Sequence, residues 1–186
     1  MNNITNQDAF IFMKVGDHAG ETFDQILERK RKELNSAGKI FWGYGGRSCH
    51  PIQQVQPFVQ LQLKRHNNIY LLMQSVHSTA DPDIEPATEY SKDGINWERI
   101  PDGIEVIGSR YALVLGDIEP GDLELSLENF EVGIGPSRGK AASKYIQGRI
   151  DKACLVVSEN FHASDSVQIP ISFKAPLLEP YAVLLR

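Results

Sequence analysis

The chain has 186 residues, 41% hydrophobic and 23% charged, with a net charge of −5. That length and composition suit one globular domain that buries its own core without disulfides. The acidic balance argues against extensive nonspecific nucleic-acid binding, because a phosphate backbone is held by many Lys and Arg side chains that displace counterions.

The opening residues, MNNITNQDAF, lack the basic-then-apolar run of a signal peptide, and no later apolar run is long enough to cross a bilayer. These features predict a soluble cytoplasmic protein without a membrane partner. Ala9 to Val15 is apolar and rich in branched and aromatic residues, with Gly16 and Asp17 as turn formers, and predicts a strand. The period then changes: Phe23, Ile26, Leu27 and Leu34 fall on one helical face, Thr22 and Gln25 have capping-box spacing, and Gly38 supplies a stop. A short strand, KIFWGY, follows at Lys39 to Tyr44 and runs into a glycine turn.

Residues 52–65 carry two patterns. Val59, Leu61 and Leu63 alternate as in a strand, whereas Ile52, Val55, Phe58 and Val59 fit a helix; Pro57 favours a short turn followed by a helix from Pro57 to Arg65. Asn68 to Val76 predicts a buried strand, and His77 to Glu89 an acidic loop. The second half becomes β-rich, with a hairpin at Asp93-Gly94 and strands over 103–109, 110–116 and 123–135, the last with a bulge between Leu127 and Phe130. Pro136 to Ile146 predicts one short helix. Three closing strands, 152–157, 167–173 and 181–186, complete the chain, with Pro170 placing the second at a sheet edge.

The expected fold is α+β: early helices packed on a mostly antiparallel, twisted sheet or a small, partly open barrel. Residues 1–186 form a single domain in this reading, with an α/β portion to about residue 76, a β-rich portion from about residue 87 and the acidic loop between. Ser91, Asp93, Gly94 and Trp97 bear a slight likeness to the Asp-box turn of sialidase-like propellers. The segment is one residue short before the glycine and occurs once, so the likeness implies a hairpin with Trp97 packed on the sheet and no more.

Two segments, YGGRSCHP and GIGPSRGKAASKY, share an order of strand, glycine-bearing loop, Ser and Arg, and helix start. Glycines let backbone N–H groups approach a ligand, a helix N-terminus adds donors, and Arg47, Arg138 or Lys140 would add charge-assisted bonds. Neither loop has Walker or GxGxxG spacing, so no cofactor is indicated. The expected ligand contacts are Gly45, Gly46, Arg47 and Ser48 in the first loop and Ser137, Arg138, Gly139 and Lys140 in the second. Trp42 and Tyr44, on one strand face, would provide a stacking wall if that face opens to a cleft; packed beneath a helix they would be core.

Cys49 and Cys154 show no CxxC pairing. Cys49, near Arg47 and just before a helix start, is a candidate thiolate nucleophile with His50, His77 or His162 as a possible base, against the plainer reading of a small turn residue. Asp17 with His18, and His77 with Asp81, Asp83 and Glu85, contain metal-ligand types without metal-site spacing, so no metal is assigned. Three functions follow in order: a noncatalytic binding module for a small anionic or nucleotide-like ligand, such as a modified base or a short single-stranded segment; an interaction or inhibitory protein whose acidic residues Asp81 to Glu89, Glu124 and Glu128 meet a basic protein partner; and an enzyme using Cys49.

Overall fold

The computed structural model describes residues 9–45, 50–65, 68–147, 150–158 and 167–186. In chain order these form β1 (Phe10–His18), α1 (Phe23–Ala37), β2 (Ile40–Gly43), α2 (Ile52–Lys64), β3 (Tyr70–Ala80), β4 (Glu89–Ser91), β5 (Glu98–Arg99), β6 (Tyr111–Leu115), β7 (Glu119–Ser126), β8 (Phe130–Val132), α3 (Ala142–Ile146), β9 (Lys152–Val157) and β10 (Gln168–Leu185). The ten strands make one mixed sheet whose main path is β2-β6-β10-β3-β1-β9-β8, with β4 and β7 also paired to β10. It draws on both halves of the chain and is not closed into a barrel. Among the described ladders β1 with β3 is parallel and the others are antiparallel.

Successive residues of β1 point to opposite faces, so Ile11 and Val15 enter a core beneath α1 and α2 while Phe10 and Phe12 enter a second core on the reverse side. Burial on both faces explains why this strand reads as a nearly continuous apolar run. A third cluster, around Phe41, Tyr90, Val114 and Val183, lies behind β2 and β6. The sheet curls strongly: Trp42 Nε1 in β2 donates to Met13 Sδ in β1 at 3.3 Å, although three strands separate them along the path.

Helix α1 has the expected ends. Thr22 and Gln25 form a reciprocal capping box, and Gly38, at φ 69°, sends its N–H to the Leu34 carbonyl. No helix among the described residues is long and apolar enough to cross a membrane. The Asp93 turn is also as expected: its carboxylate accepts the N–H groups of Ile95 and Asn96 at 2.8 Å, which holds it well below the usual carboxylate range. Trp97 packs against the Arg186 guanidinium, 4.2 Å over its ring. Pro170 lies opposite Glu124 of β7, where β10 has no residue of β3 on its other side.

Five expectations are corrected. The first concerns Pro57, which does not delay the helix; α2 is continuous from Ile52 to Lys64 with Pro57 inside it. The ring is exposed while Ile52, Val55, Phe58, Val59 and Gln62 are buried, so the apolar stripe offsets the missing N–H bond. The two last strands are instead one, β10, which crosses an irregularity between Leu177 and Ala182, passing from β7 and β3 to β6 and β4.

The strand expected over 103–109 does not form. The main chain of Glu105 is satisfied by α1 instead, through Lys30 Nζ and Arg29 Nη1 to its carbonyl, each at 2.7 Å, and through its N–H to Glu33 Oε1 at 3.1 Å. Between Leu127 and Phe130 the chain turns rather than bulges, with the Phe130 N–H on the Leu127 carbonyl, and this turn separates β7 from β8. In the last case only Ala142–Ile146 is helical; residues 135–140 form turns that fold back on β8, with Gly139 N–H on the Val132 carbonyl at 2.8 Å and Val132 N–H on the Lys140 carbonyl at 2.9 Å.

Candidate functional site

His50 precedes α2 and is only 8% exposed. Its carbonyl accepts the Tyr111 hydroxyl, which ties the start of the helix to β6. On the same residue the second loop closes in: a Cβ added to Gly135 would stand 3.2 Å from His50 Nδ1 and 3.3 Å from Gln54 Oε1. Gly135 adopts φ 75°, a conformation that favours glycine. Thus two segments nearly half the chain apart meet at His50, Gln54 and Gly135.

Two polar atoms of this junction, His50 Nε2 and Gln54 Oε1, are buried with no hydrogen-bond partner among the described residues. Native interiors rarely leave such atoms unbonded. Burial alone lowers the His50 pKa, so the ring is neutral near pH 7. Its Nε2 then donates or accepts according to tautomer, whereas Gln54 Oε1 only accepts. The helix begins at Pro51, which provides no side-chain cap.

The residues expected to contact a ligand fall into separate environments. Trp42 and Tyr44 are 5% and 0% exposed, so their shared strand face is core and presents no open stacking wall. Tyr44 lies 5.7 Å from the Tyr111 ring, with Lys152 Nζ 5.9 Å over its own. Gly45 serves close packing: its N–H reaches the Tyr111 carbonyl at 3.1 Å, and an added Cβ would lie 2.9 Å from Tyr111 N. Gly46, Arg47, Ser48 and Cys49 lie outside the described residues.

In the second loop three successive backbone donors are consumed internally. Arg138 N–H bonds the Gly135 carbonyl, Gly139 N–H that of Val132 and Lys140 N–H that of Ser137. The N–H groups of Arg138, Gly139 and Lys140 therefore form no cradle, and an anion would meet the exposed side chains of Arg138 and Lys140.

The other candidates are also placed by the fold. Asp17 Oδ1 accepts the Phe23 N–H at 2.9 Å and Asp81 Oδ1 the Gly20 N–H at 3.1 Å, so both carboxylates serve turns around α1. No three His, Cys, Asp or Glu side chains gather for a metal among the described residues. Glu89 pairs with Arg186 at 2.6 Å, while Asp83, Glu85 and Glu124 are exposed. Cys154 is fully buried in the core, and His162 lies outside the described residues.

Gln54 was not singled out by the sequence, and His50 only as a possible base for Cys49. The nearest local signal is the His50-Pro51 pair ahead of a helical stripe. The junction of His50 and Gln54 depends on Tyr111 and Gly135, which no local pattern connects to them.

No family model, curated protein or solved structure matches the chain.

Proposed function

We propose that this protein is a noncatalytic binding module for a small, nucleotide-like anionic ligand, seated where the start of α2 meets the turn at Gly135. The observation that carries this reading is the pair of buried, unpartnered atoms His50 Nε2 and Gln54 Oε1, gathered beside Gly135. A neutral imidazole and an amide oxygen suit the donor and acceptor groups of a base edge or a sugar hydroxyl. Exposed Arg138 and Lys140, on the turn that contains Gly135, supply positive charge for a phosphate or carboxylate. Burial lowers the His50 pKa and keeps the ring neutral near pH 7, the form that offers one donor and one acceptor to such a ligand.

Thermal shift against nucleotides and sugar phosphates tests the reading, with Gln54→Leu, Arg138→Ala and Arg47→Ala alongside the wild type. At least one compound is expected to raise the wild-type melting temperature, with smaller rises in Gln54→Leu and Arg138→Ala. No stabilisation by any compound would overturn it.

A further inference from the structure

Both ends of the main path of the sheet are closed by other parts of the chain. In β2 the carbonyl of Phe41 accepts Lys30 Nζ of α1 at 2.7 Å. In β8 the N–H and carbonyl of Val132 are taken by Lys140 and Gly139 of the turn that folds back on it. Strand β7 lies off that path and pairs with β10 along one side only.

The ladder itself decides which main-chain groups β7 turns outward. The Leu127 N–H donates to the Val167 carbonyl at 2.9 Å, so the bonded pairs of this antiparallel ladder recur at Leu125 with Ile169 and at Leu123 with Ile171. The intervening pairs, Ser126 with Gln168 and Glu124 with Pro170, direct their N–H and carbonyl groups away from each other. Pro170 suits such a position because it has no N–H to give. Glu124 and Ser126 thus hold out two N–H groups and two carbonyls with no main-chain partner among the described residues. Gly121 packs on the Ile171 main chain and Asp122 adopts φ 33°, which bends the strand there, so the regular open edge runs from Leu123 to Ser126.

We propose that this edge takes up an extended, Lys- or Arg-rich segment of a partner protein as an added strand. Unpaired edge groups are a template for another strand, and main-chain bonds to Glu124 and Ser126 would hold it. Charge selects the occupant. Asp122 and Glu124 are exposed, two residues apart and without an ion pair among the described residues, whereas Glu119 at the start of the strand is matched by Lys174 at 3.3 Å. Cationic side chains at alternate positions of the added strand meet those carboxylates. A second copy of this chain fits poorly, because pairing β7 with itself about a two-fold axis sets carboxylate against carboxylate.

The probe is the peptide acetyl-KVKVKVK-amide. EVEVEVE serves as the charge control, and the lysine peptide methylated on every main-chain nitrogen as the ladder control. Amide-shift titration and hydrogen exchange on the full chain are expected to show binding of the lysine peptide with protection of the Glu124 and Ser126 N–H groups, and binding about tenfold weaker or less for both controls. Ser126→Pro deletes an outward N–H, costs no bond to β10 and keeps every carboxylate; Glu124→Lys reverses the charge. Each should weaken the lysine peptide by about tenfold or more. Circular dichroism establishes which variants fold; if Ser126→Pro does not, Glu124→Lys and the methylated peptide decide. The proposal is overturned if the lysine peptide fails to bind wild type, if either control binds as tightly, if the two N–H groups stay unprotected in the complex, or if the folded variants bind undiminished. Protection of those groups in the free protein that disappears on dilution would identify a second copy as the occupant and overturn it too. Because β7 shares no residue with the junction at His50, Gln54 and Gly135, this outcome is independent of the nucleotide panel.

Discussion

The hydroxyl of Tyr111, the first residue of β6, donates to the main-chain carbonyl of His50, 61 positions earlier and just ahead of α2. Tyr111 is 6% exposed, so Tyr111→Phe removes a buried donor while keeping the ring against Tyr44. The expected loss is about 1–2 kcal/mol in urea unfolding. A loosened start of α2 should also reduce any ligand-induced rise in melting temperature. Unchanged stability would show that this bond contributes nothing net.

Lys30 is 3% exposed and spends its three ammonium protons on Glu33 Oε1, the Phe41 carbonyl and the Glu105 carbonyl, each at 2.7 Å. Burial pulls Lys30 down to about 8 and pushes Glu33 up. Lys30→Met leaves a buried carboxylate short of its nearest cation and should cost about 3–5 kcal/mol in urea unfolding. Adding Glu33→Leu should recover much of that loss, since an apolar pair carries no desolvation penalty. A double variant as unstable as the single one would contradict this account.

Burial is the leading cause that lowers both His18 and His50 from their ordinary value of 6.5. A histidine lowered in the fold binds fewer protons than in the unfolded chain, so its contribution is intact above 6.5 and declines as pH falls below it. Melting temperatures should therefore drop between about pH 7 and about pH 5.5. His50→Gln should flatten part of that slope, and an identical slope in the variant would exclude His50 as a contributor.

Pro57 occupies the sixth position of α2 with its ring exposed. Pro57→Ala restores an N–H for the Gln53 carbonyl and removes the clash of the ring with the preceding turn, at no loss of core packing. The expected gain is about 1–3 kcal/mol, reduced by the greater freedom that alanine allows the unfolded chain. Chemical denaturation of the variant measures it directly. Equal or lower stability would mean that the helix already accommodates the proline by bending.

The features legible in the sequence are those set by neighbours in the chain. The Thr22-Gln25 cap, the Gly38 stop, the Asp93 turn and the span of β9 from Lys152 to Val157 each rest on contacts or periodicities within a few residues. In residues 52–65 a local signal, the proline, competed with the stripe of Ile52, Val55, Phe58 and Val59, and the stripe prevailed because it faces the sheet. Residues 103–109 failed as a strand for the opposite reason: alternation was present, but side chains of α1 had taken the Glu105 main chain.

The candidate site was legible in its parts and not in its assembly. Two glycine-bearing loops could be read, but the aromatic wall could not, because an alternating Trp42 and Tyr44 look the same whether their face meets a cleft or a helix. The curl of the sheet carried that face inward, against Met13 and Tyr111. By itself the sequence determined the α+β class, the cap and stop of α1 and the turns, because backbone preferences and periodicity act over one or two turns of chain. Only the tertiary structure decided that His50 and the side-chain oxygen of Gln54 are buried beside Gly135, because that burial comes from β6 and the turn after β8 closing over α2 from sequence positions far away.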